Sequence, residues 1–258
     1  MTSLRRTLST TSYLDGGWKM TSLRRTLSTT SYLDGGWKMT SLRRTLSTTS
    51  FFDRVGRDWV RAWDERVTPW ELGSSNPIYE ELIRKRHLAV RGKRVLMPGC
   101  GSGYDAITVC RLGHPASLTA IDLSSKAISI ARSHSIPPQF RDILNFQQQD
   151  FFSVDTTKHQ YDVIIDYLFY SAMDIPMRSR VVEQMYKLLA PHGVVATIIF
   201  PLQLTNENET VGPPYHMKLE HYVENFQRHH LKLIRTIALE DSIVPRRNRE
   251  LFALWSKA

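Results

Sequence analysis

Residues 94–122 constrain the fold of this chain more than any other segment. Residues 94–97 form a short apolar run, which predicts a buried strand. Glycines at 99, 101 and 103 follow, and they predict a sharp turn where the backbone approaches a ligand closely. After a segment with helical spacing, a second strand is predicted at 117–121, with Asp122 at its carboxyl end. Ligands of open α/β sheets bind at these strand ends, so Asp122 is predicted to accept hydrogen bonds from ribose hydroxyls of a nucleoside-containing cofactor.

The spacing of the glycines narrows the choice of nucleoside. A dinucleotide site needs GxGxxG, whereas residues 99–103 read GxGxG, with Tyr104 following Gly103. The tighter spacing is typical of the first motif of class I S-adenosylmethionine (SAM) methyltransferases. It favours SAM over NAD as the cofactor. A plain strand-to-helix turn in another α/β protein is the alternative.

Charge and hydropathy exclude several classes of protein. The net charge is +9, but residues 1–50 contribute eight Lys or Arg and two Asp, so residues 51–258 carry only +3. A nearly neutral folded part argues against a nucleic acid partner. No apolar run approaches the length of a membrane span, so no membrane partner is expected. Cys100 and Cys110 have neither disulfide nor zinc-site spacing, which predicts a reducing compartment and no metal.

The first fifty residues are dominated by a tandem repeat. The 19-residue unit MTSLRRTLSTTSYLDGGWK occupies residues 1–19 and 20–38, and a third copy runs from Met39 to Ser50 before it diverges. The unit is too short and too polar to build a solenoid core, and a duplication or a gene-model error would explain it. From Met39 the sequence is rich in Arg, Ser and Thr and lacks acids, as transit peptides do. A mitochondrial address and a disordered tail in a cytoplasmic protein both remain open.

Residues 51–258 are predicted to form one α/β domain. Strands and helices alternate, which predicts a doubly wound, mostly parallel sheet with helices on both faces and two antiparallel strands closing it. The predicted helices cover 51–67, 77–87, 105–112, 124–133, 178–189 and 219–226. The predicted strands cover 94–97, 117–121, 144–149, 161–166, 194–200, 231–239 and 251–256.

Trp59, Trp63 and Trp70 lie within twelve residues. The first two share one face of the predicted helix, since they are four residues apart. On this pattern alone, packing into the hydrophobic core is the favoured interpretation.

Longer motifs resemble the thiopurine S-methyltransferase superfamily, and especially its plant-type thiol and halide methyltransferases. The matching segments cover essentially all of residues 53–258 in the family's order: DWVRAWDERVTPWELG (58–73), VLMPGCGSGYDA (95–106), TAIDLSSKAI (119–128), QQDFFS (148–153), YDVIIDYLFYSAMDIPMR (161–178), LLAPHGVVATIIFP (188–201) and VGPPYHM (211–217). The resemblance implies a Rossmann-like class I methyltransferase fold and SAM as the cofactor.

The resemblance also implies roles for individual residues. Trp59, Trp63 and Trp70 would help enclose SAM, which reverses the interpretation from the pattern alone. The remaining implied assignments are Gly99 and Gly101 under the methionine moiety, Asp122 at the ribose, Asp150 and Phe151 beside the adenine, and Tyr167 at the methyl-transfer site as the catalytic residue.

The acceptor is less well defined than the cofactor. The resemblance implies a monomeric enzyme that methylates a small thiol or an anion such as thiocyanate, bisulfide or halide. Two departures are Glu71, where the family usually has Asp, and Phe169-Tyr170-Ser171, where Phe-Phe-Cys is common. The second is expected near the acceptor pocket and leaves the substrate open. A small-molecule N- or O-methyltransferase, or a non-catalytic SAM-binding protein, is the alternative.

Overall fold

The computed structural model describes residues 52–158, 160–202, 212–240 and 242–257. Its helices are α1 (Trp59–Asp64), α2 (Ile78–Arg84), α3 (Tyr104–Gly113), α4 (Ser125–Ser133), α5 (Phe169–Ala172), α6 (Ile175–Leu188) and α7 (Leu219–Arg228), with 3₁₀ turns at Pro138–Phe140 and Phe151–Ser153. Its strands are β1 (Arg94–Pro98), β2 (Ser117–Asp122), β3 (Leu144–Gln148), β4 (Tyr161–Tyr167), β5 (Leu189–Ile199), β6 (Leu231–Ala238) and β7 (Leu251–Lys257).

The strands form one seven-stranded sheet in the order β3-β2-β1-β4-β5-β7-β6. Strands β1 to β5 are parallel, and β7 runs antiparallel between β5 and β6. The predicted fold class, a doubly wound and mostly parallel sheet with an antiparallel edge, is confirmed. After the edge strand β3, the chain passes back across β2 and β1 and forms β4 on the other side of β1. The strand order therefore reverses between β1 and β4. The carboxyl ends of these two strands are where this architecture places a ligand.

Hydrophobic clusters cover both faces of the sheet. Val163 and Ile165 of β4 pack with α2, α3 and α4 on one face, while Ile164 packs with α6 and α7 on the other. This alternation follows from the two-residue period of a strand. It explains why β4 reads as a continuous apolar run in the sequence, since both of its faces are buried.

The N-terminal helix is shorter than predicted, and a helix over 51–67 is wrong. Gly56 and Arg57 have φ values of +65° and +58°, which end any right-handed helix before residue 58. Asp58 then caps a new helix, because its side chain accepts hydrogen bonds from the backbone N–H groups of Val60 and Arg61 at 2.8 and 3.1 Å. The apolar spacing survives the break, since Val55 and Trp59 still pack in one cluster.

Strand β5 begins earlier than predicted. The sequence predicts a break between the helix over 178–189 and the strand over 194–200, but Pro191, His192 and Gly193 lie inside β5. They sit where the pairing with β4 shifts register, and His192 has a φ of +61°. This irregularity lets a strand accommodate turn-forming residues. The other predicted elements differ mainly at their ends.

The predicted N-terminal segment, residues 1–50, lies outside the described residues. Within the described ranges, no helix combines the length and the apolar composition needed to cross a membrane.

Candidate active site

A cavity of about 450 Å³ opens at the carboxyl ends of the parallel strands. This volume is within the usual range for small-molecule sites. Every residue predicted to bind the cofactor or to act in catalysis lines it: Trp59, Trp63, Trp70, Gly99, Gly101, Asp122, Asp150, Phe151 and Tyr167. The structure thus brings together residues from five separate segments of the sequence.

The glycine turn follows β1 and forms the floor of the cavity. Gly99 and Gly101 have φ values of +61° and +53°, a conformation that other residues rarely adopt. A Cβ on Gly99 would lie 2.8 Å from the Phe169 ring, and one on Gly101 would lie 2.5 Å from Glu71 Oε1. The absence of side chains at Gly99 and Gly101 therefore leaves room for Phe169 and Glu71, which line the cavity. It also allows the backbone to approach a ligand closely.

Asp122 lies at the end of β2 with its carboxylate fixed by the backbone. Oδ2 accepts a hydrogen bond from Gly101 N and Oδ1 accepts one from Ser124 N, both at 2.9 Å. Each oxygen keeps a further lone pair for a hydroxyl donor. Burial raises the pKa of Asp122, although its bonds to backbone N–H groups oppose the rise. The geometry suits a carboxylate that accepts two hydrogen bonds from a diol.

Glu71 is a second carboxylate in the cavity, and sequence reasoning noted it only as a departure from the family pattern. Ser102 Oγ donates to its Oε2 in a short hydrogen bond. Burial raises its pKa, and the nearby Asp122 carboxylate adds to the rise. Two neighbouring acids in a partly apolar cavity favour a ligand that carries positive charge.

The three predicted tryptophans form one wall. Trp70 lies edge-on to both of the others, with ring centroids 5.2 Å from Trp59 and 6.4 Å from Trp63. Trp63 is buried, and its ring carbon comes within 3.3 Å of a Cβ placed on Gly101. The wall both packs against its neighbours and faces the cavity, so the two interpretations of the tryptophans are compatible.

Tyr167, at the end of β4, is held by a network of side chains. Its hydroxyl accepts a hydrogen bond from Asn76 Nδ2 at 2.8 Å and a short one from Arg246 Nη1, and it donates to Glu250 Oε1 in another short bond. These three bonds use the donor and both lone pairs of a phenol. Burial and the Glu250 carboxylate raise the pKa of Tyr167, so the phenol stays neutral. A direct contact between this hydroxyl and an acceptor would require one bond to be exchanged.

Asn76, Arg246 and Glu250 were not identified as site residues from the sequence. Asn76 directly precedes the helix predicted over 77–87, and its Oδ1 accepts a hydrogen bond from Ile78 N at 3.2 Å. Arg246 lines the cavity and donates to the Trp70 carbonyl at 2.8 Å. No spacing links these residues to Tyr167, which is 79 residues or more away along the chain in each case, so no local signal identifies them.

Asp105 lies just after the glycine turn and joins it to residues 75 and 76. Its Oδ1 accepts hydrogen bonds from Ser75 Oγ at 2.8 Å and from Asn76 N at 2.9 Å. Burial raises the pKa of Asp105 to about 6, although both bonds oppose the rise. Asp105 thus holds the segment that carries the tryptophans against the strand ends.

The departure at Phe169-Tyr170-Ser171 affects the cavity less than expected. Only Phe169 lines it, whereas Tyr170 and Ser171 are buried at 1% exposure. The Tyr170 hydroxyl accepts a hydrogen bond from Asn225 Nδ2 at 2.7 Å, away from the cavity. The substitution therefore changes the packing beneath the site instead of the surface of the pocket.

The cavity as a whole fits SAM. Asp122 offers acceptor capacity for a diol, Glu71 supplies negative charge, and indole faces suit a cation. Asp150 and Phe151 follow β3 and line the same cavity, where a planar base can lie against Phe151. The fold and this set of groups define a class I SAM-dependent methyltransferase.

Comparison with known proteins identifies the family. The model of the thiopurine S-methyltransferase family matches residues 55–254, and the chain belongs to that family. Among the curated relatives, a probable thiol methyltransferase 2 of Arabidopsis thaliana is 28% identical over 205 residues, covering 78% of this chain and 84% of the relative. A thiocyanate methyltransferase 1 from the same plant is 27% identical over 199 residues, covering 77% and 84%.

Solved structures support the fold. A 1,6-didemethyltoxoflavin-N1-methyltransferase of Burkholderia thailandensis, solved with S-adenosylhomocysteine, superposes with a TM-score of 0.59 over 83% of this chain and 92% of that one, at 16% identity. A SAM-dependent methyltransferase of Methanosarcina mazei gives 0.54 over 68% and 96%, at 18% identity.

Proposed function

We propose that this enzyme transfers the methyl group of SAM to a small thiol or to an anion such as thiocyanate, bisulfide or halide. The proposal rests on which ionisable side chains line the cavity and on the hydrogen bonds that they already make. No histidine lines it among the described residues. Three of its carboxylates, the partly buried Glu71, Asp105 and Asp122, already accept hydrogen bonds from protein donors.

Such a cavity suits an acceptor that needs no general base. A halide or thiocyanate ion carries its electron pair already, and a free thiol with a pKa near 8.5 is ionised to a few per cent at neutral pH. Alcohols and protonated amines, by contrast, must lose a proton to a group of the protein. The names of the plant relatives point the same way.

The protein's contribution would then be orientation and the exclusion of water. When bound, SAM supplies an electrophilic methyl group on a positively charged sulfur. Trp59, Trp63 and Trp70 wall off solvent, and an indole face can stabilise a sulfonium by about 0.5–2 kcal/mol. An anionic acceptor loses its hydration shell behind this wall. Once it lies in contact with the cofactor, the two reactants no longer have to meet by diffusion.

Tyr167 is proposed to orient the acceptor. Because its hydroxyl is held by Asn76, Arg246 and Glu250, the ring is fixed at the exit of β4 beside the cavity. Tyr167→Phe should lower the acceptor-dependent rate more than SAM affinity. It should also lower stability by about 1–3 kcal/mol, since three buried polar groups lose a partner. Equal losses in acceptor rate and SAM affinity would argue against an orienting role.

Headspace gas chromatography over enzyme, SAM and a panel of acceptors tests the proposal. The panel contains thiocyanate, iodide, bisulfide, an organic thiol, a phenol and an amine. We expect methylated products from the first four. Product from the phenol or the amine alone would overturn the proposal in favour of an O- or N-methyltransferase.

The pH profile tests the absence of a general base. With iodide or thiocyanate, turnover at saturating SAM should stay nearly flat from about pH 6.5 to 8, above the pKa of about 6 of Asp105. Burial also raises the pKa of Asp166 to about 7, so Asp166→Asn is the control for a structural titration. A steep rise that persists in Asp166→Asn would show that a base exists.

A further inference from the structure

We infer that Glu71 is the residue that recognises the α-ammonium group of the methionine moiety of SAM. The inference concerns the cofactor and does not depend on which acceptor the enzyme uses. It assigns a binding role to a residue that the sequence showed only as a departure from the family pattern.

The position of the Glu71 carboxylate carries the inference. A Cβ built on Gly101 would lie 2.5 Å from Glu71 Oε1, so this oxygen stands directly over the glycine turn. Oε2 accepts from Ser102 Oγ, the next residue of the turn, which fixes the carboxylate in place. Gly101 is where the methionine moiety is expected to pass. A cationic group at that place would meet Glu71 Oε1 first.

The charge balance of the turn leads to the same residue. No Asp or Glu occurs between residues 94 and 104, so β1 and the turn itself supply no countercharge for an ammonium. Within the described part of the chain, no Lys, Arg or His lies within ion-pair distance of Glu71. Arg246 acts on it only at longer range, and Asp122 repels it. A carboxylate that is partly buried, near another acid and without a close cation is stabilised when a cationic ligand arrives.

The other acids of the cavity are less suitable. Asp105 accepts both of its hydrogen bonds from Ser75 and Asn76 and joins two segments of the protein. Asp174 is paired with Arg57 at 2.7 Å. Asp122 is placed for the ribose, at the end of the neighbouring strand. Asp150 follows β3, which lies beyond β2 in the sheet, and its Oδ1 accepts a hydrogen bond from Phe152 N at 2.9 Å. Glu71 is left as the acid over the turn.

Two ligands that differ in the amino-acid group test the inference by calorimetry. S-adenosylhomocysteine carries both the ribose diol and the ammonium, whereas 5′-methylthioadenosine carries the diol and lacks the amino acid. Glu71→Gln keeps the size of the side chain and an oxygen that can accept from Ser102. We expect it to weaken S-adenosylhomocysteine at least tenfold and to change the affinity for methylthioadenosine less than twofold.

Asp122→Asn is the matched control. It should weaken both ligands, because both present the diol. Glu71→Asp, which keeps the charge on a shorter side chain, should recover part of the affinity that Glu71→Gln loses. The melting temperatures of the ligand-free variants report whether each one folds.

Two results would overturn the inference. If Glu71→Gln weakens both ligands equally, Glu71 shapes the turn and does not recognise the ammonium. If Glu71→Gln leaves both affinities unchanged, the ammonium is bound elsewhere. Failure of the wild-type enzyme to bind either ligand would instead contradict the assignment of SAM as cofactor, so the two failures are distinguishable.

Discussion

The two walls of the cavity are built in different ways. One, the strand-end wall, consists of the lining residues within 99–105, 121–123, 149–152 and 167–177, which lie at or after the carboxyl ends of β1 to β4. The other, the cap wall, consists of lining residues between 52 and 74, together with Pro214 and Arg246. Backbone hydrogen bonds and the sheet register fix the first. Aromatic packing and side-chain contacts between distant segments hold the second.

This difference determines how firmly each wall holds the residues that face the cofactor. Asp122 is positioned by two backbone N–H groups, so its placement follows from the fold. Arg57, by contrast, fastens the cap wall through an exposed ion pair with Asp174, a type of contact worth only about 0–1 kcal/mol. A substitution that loosens the cap wall should therefore leave Asp122 in place, although it can still weaken the contacts of Trp63 and Glu71 with the cofactor.

The largest expected effect is on the strand-end wall. Asp122→Ala removes two charge-assisted bonds to the ribose, each worth about 1.5–3 kcal/mol, and should weaken SAM by about one to three orders of magnitude. Asp142→Ala, at an exposed position that does not line the cavity, is the control. Calorimetry that finds equal SAM affinity in both variants would remove Asp122 from the site.

A smaller effect is expected from the cap wall. Trp63→Ala should lower turnover and SAM affinity together by about 2- to 30-fold. This range corresponds to the loss of one cation–π contact worth about 0.5–2 kcal/mol. Because Trp63 is buried, Trp63→Phe serves as a milder variant that should fold and show a smaller loss.

Trp255→Phe is the control for packing. Trp255 is fully buried in the core on the α6 and α7 face and should affect the melting temperature without changing SAM affinity. If Trp63→Phe changed only the melting temperature as well, Trp63 would be a core residue and the cap wall would not contact the cofactor.

The same contrast explains how far the sequence could predict the site. Gly99, Gly101 and Asp122 belong to one contiguous strand-turn-helix-strand unit, whose local spacing carries the signal. Glu250 and Arg246 come close to Tyr167 only because β7 inserts between β5 and β6, and no periodicity records that juxtaposition.

The fold was predictable to a similar extent. The positions of the central strands along the chain follow from apolar runs, since β1 and β4 are buried on both faces, whereas the edge strand β3 alternates buried and exposed residues. The break at Gly56 and Arg57 was missed, because helical spacing of apolar residues continues through a change in backbone direction. Apolar periodicity reports which side chains are buried, and it does not report whether the backbone between them is continuous.

Asp105 belongs to the strand-end wall and accepts hydrogen bonds from Ser75 and Asn76, which follow the cap wall in the sequence. Its titration should therefore affect the contact between the two walls. Its pKa is about 6 in the folded protein and lower in the unfolded chain, so between about pH 4 and 6 the unfolded chain ionises first. The free energy of unfolding therefore falls by about 3 kcal/mol as the pH rises through this window and remains lower above it.

Asp105→Asn removes this titration while keeping an oxygen for Ser75 and Asn76. Relative to wild type, the variant should gain several degrees in melting temperature between pH 4 and 7, since 1 kcal/mol corresponds to about 2–4 °C in a domain of this size. Scanning calorimetry of both proteins across this range is the measurement. If the melting temperatures of the two proteins differ by the same amount at every pH, the charge of Asp105 does not affect the contact between the two walls.

The smallest effect is expected outside both walls. Residues 1–38 are two identical polar repeats, and their sequence contains too little apolar surface to offset the entropy lost on ordering. A shortened chain that begins at Met39 should therefore match the full chain in turnover, SAM affinity and melting temperature. A melting temperature lower by several degrees would show that the repeats pack on the domain, and a lower turnover at equal stability would show that they contribute to the cap wall.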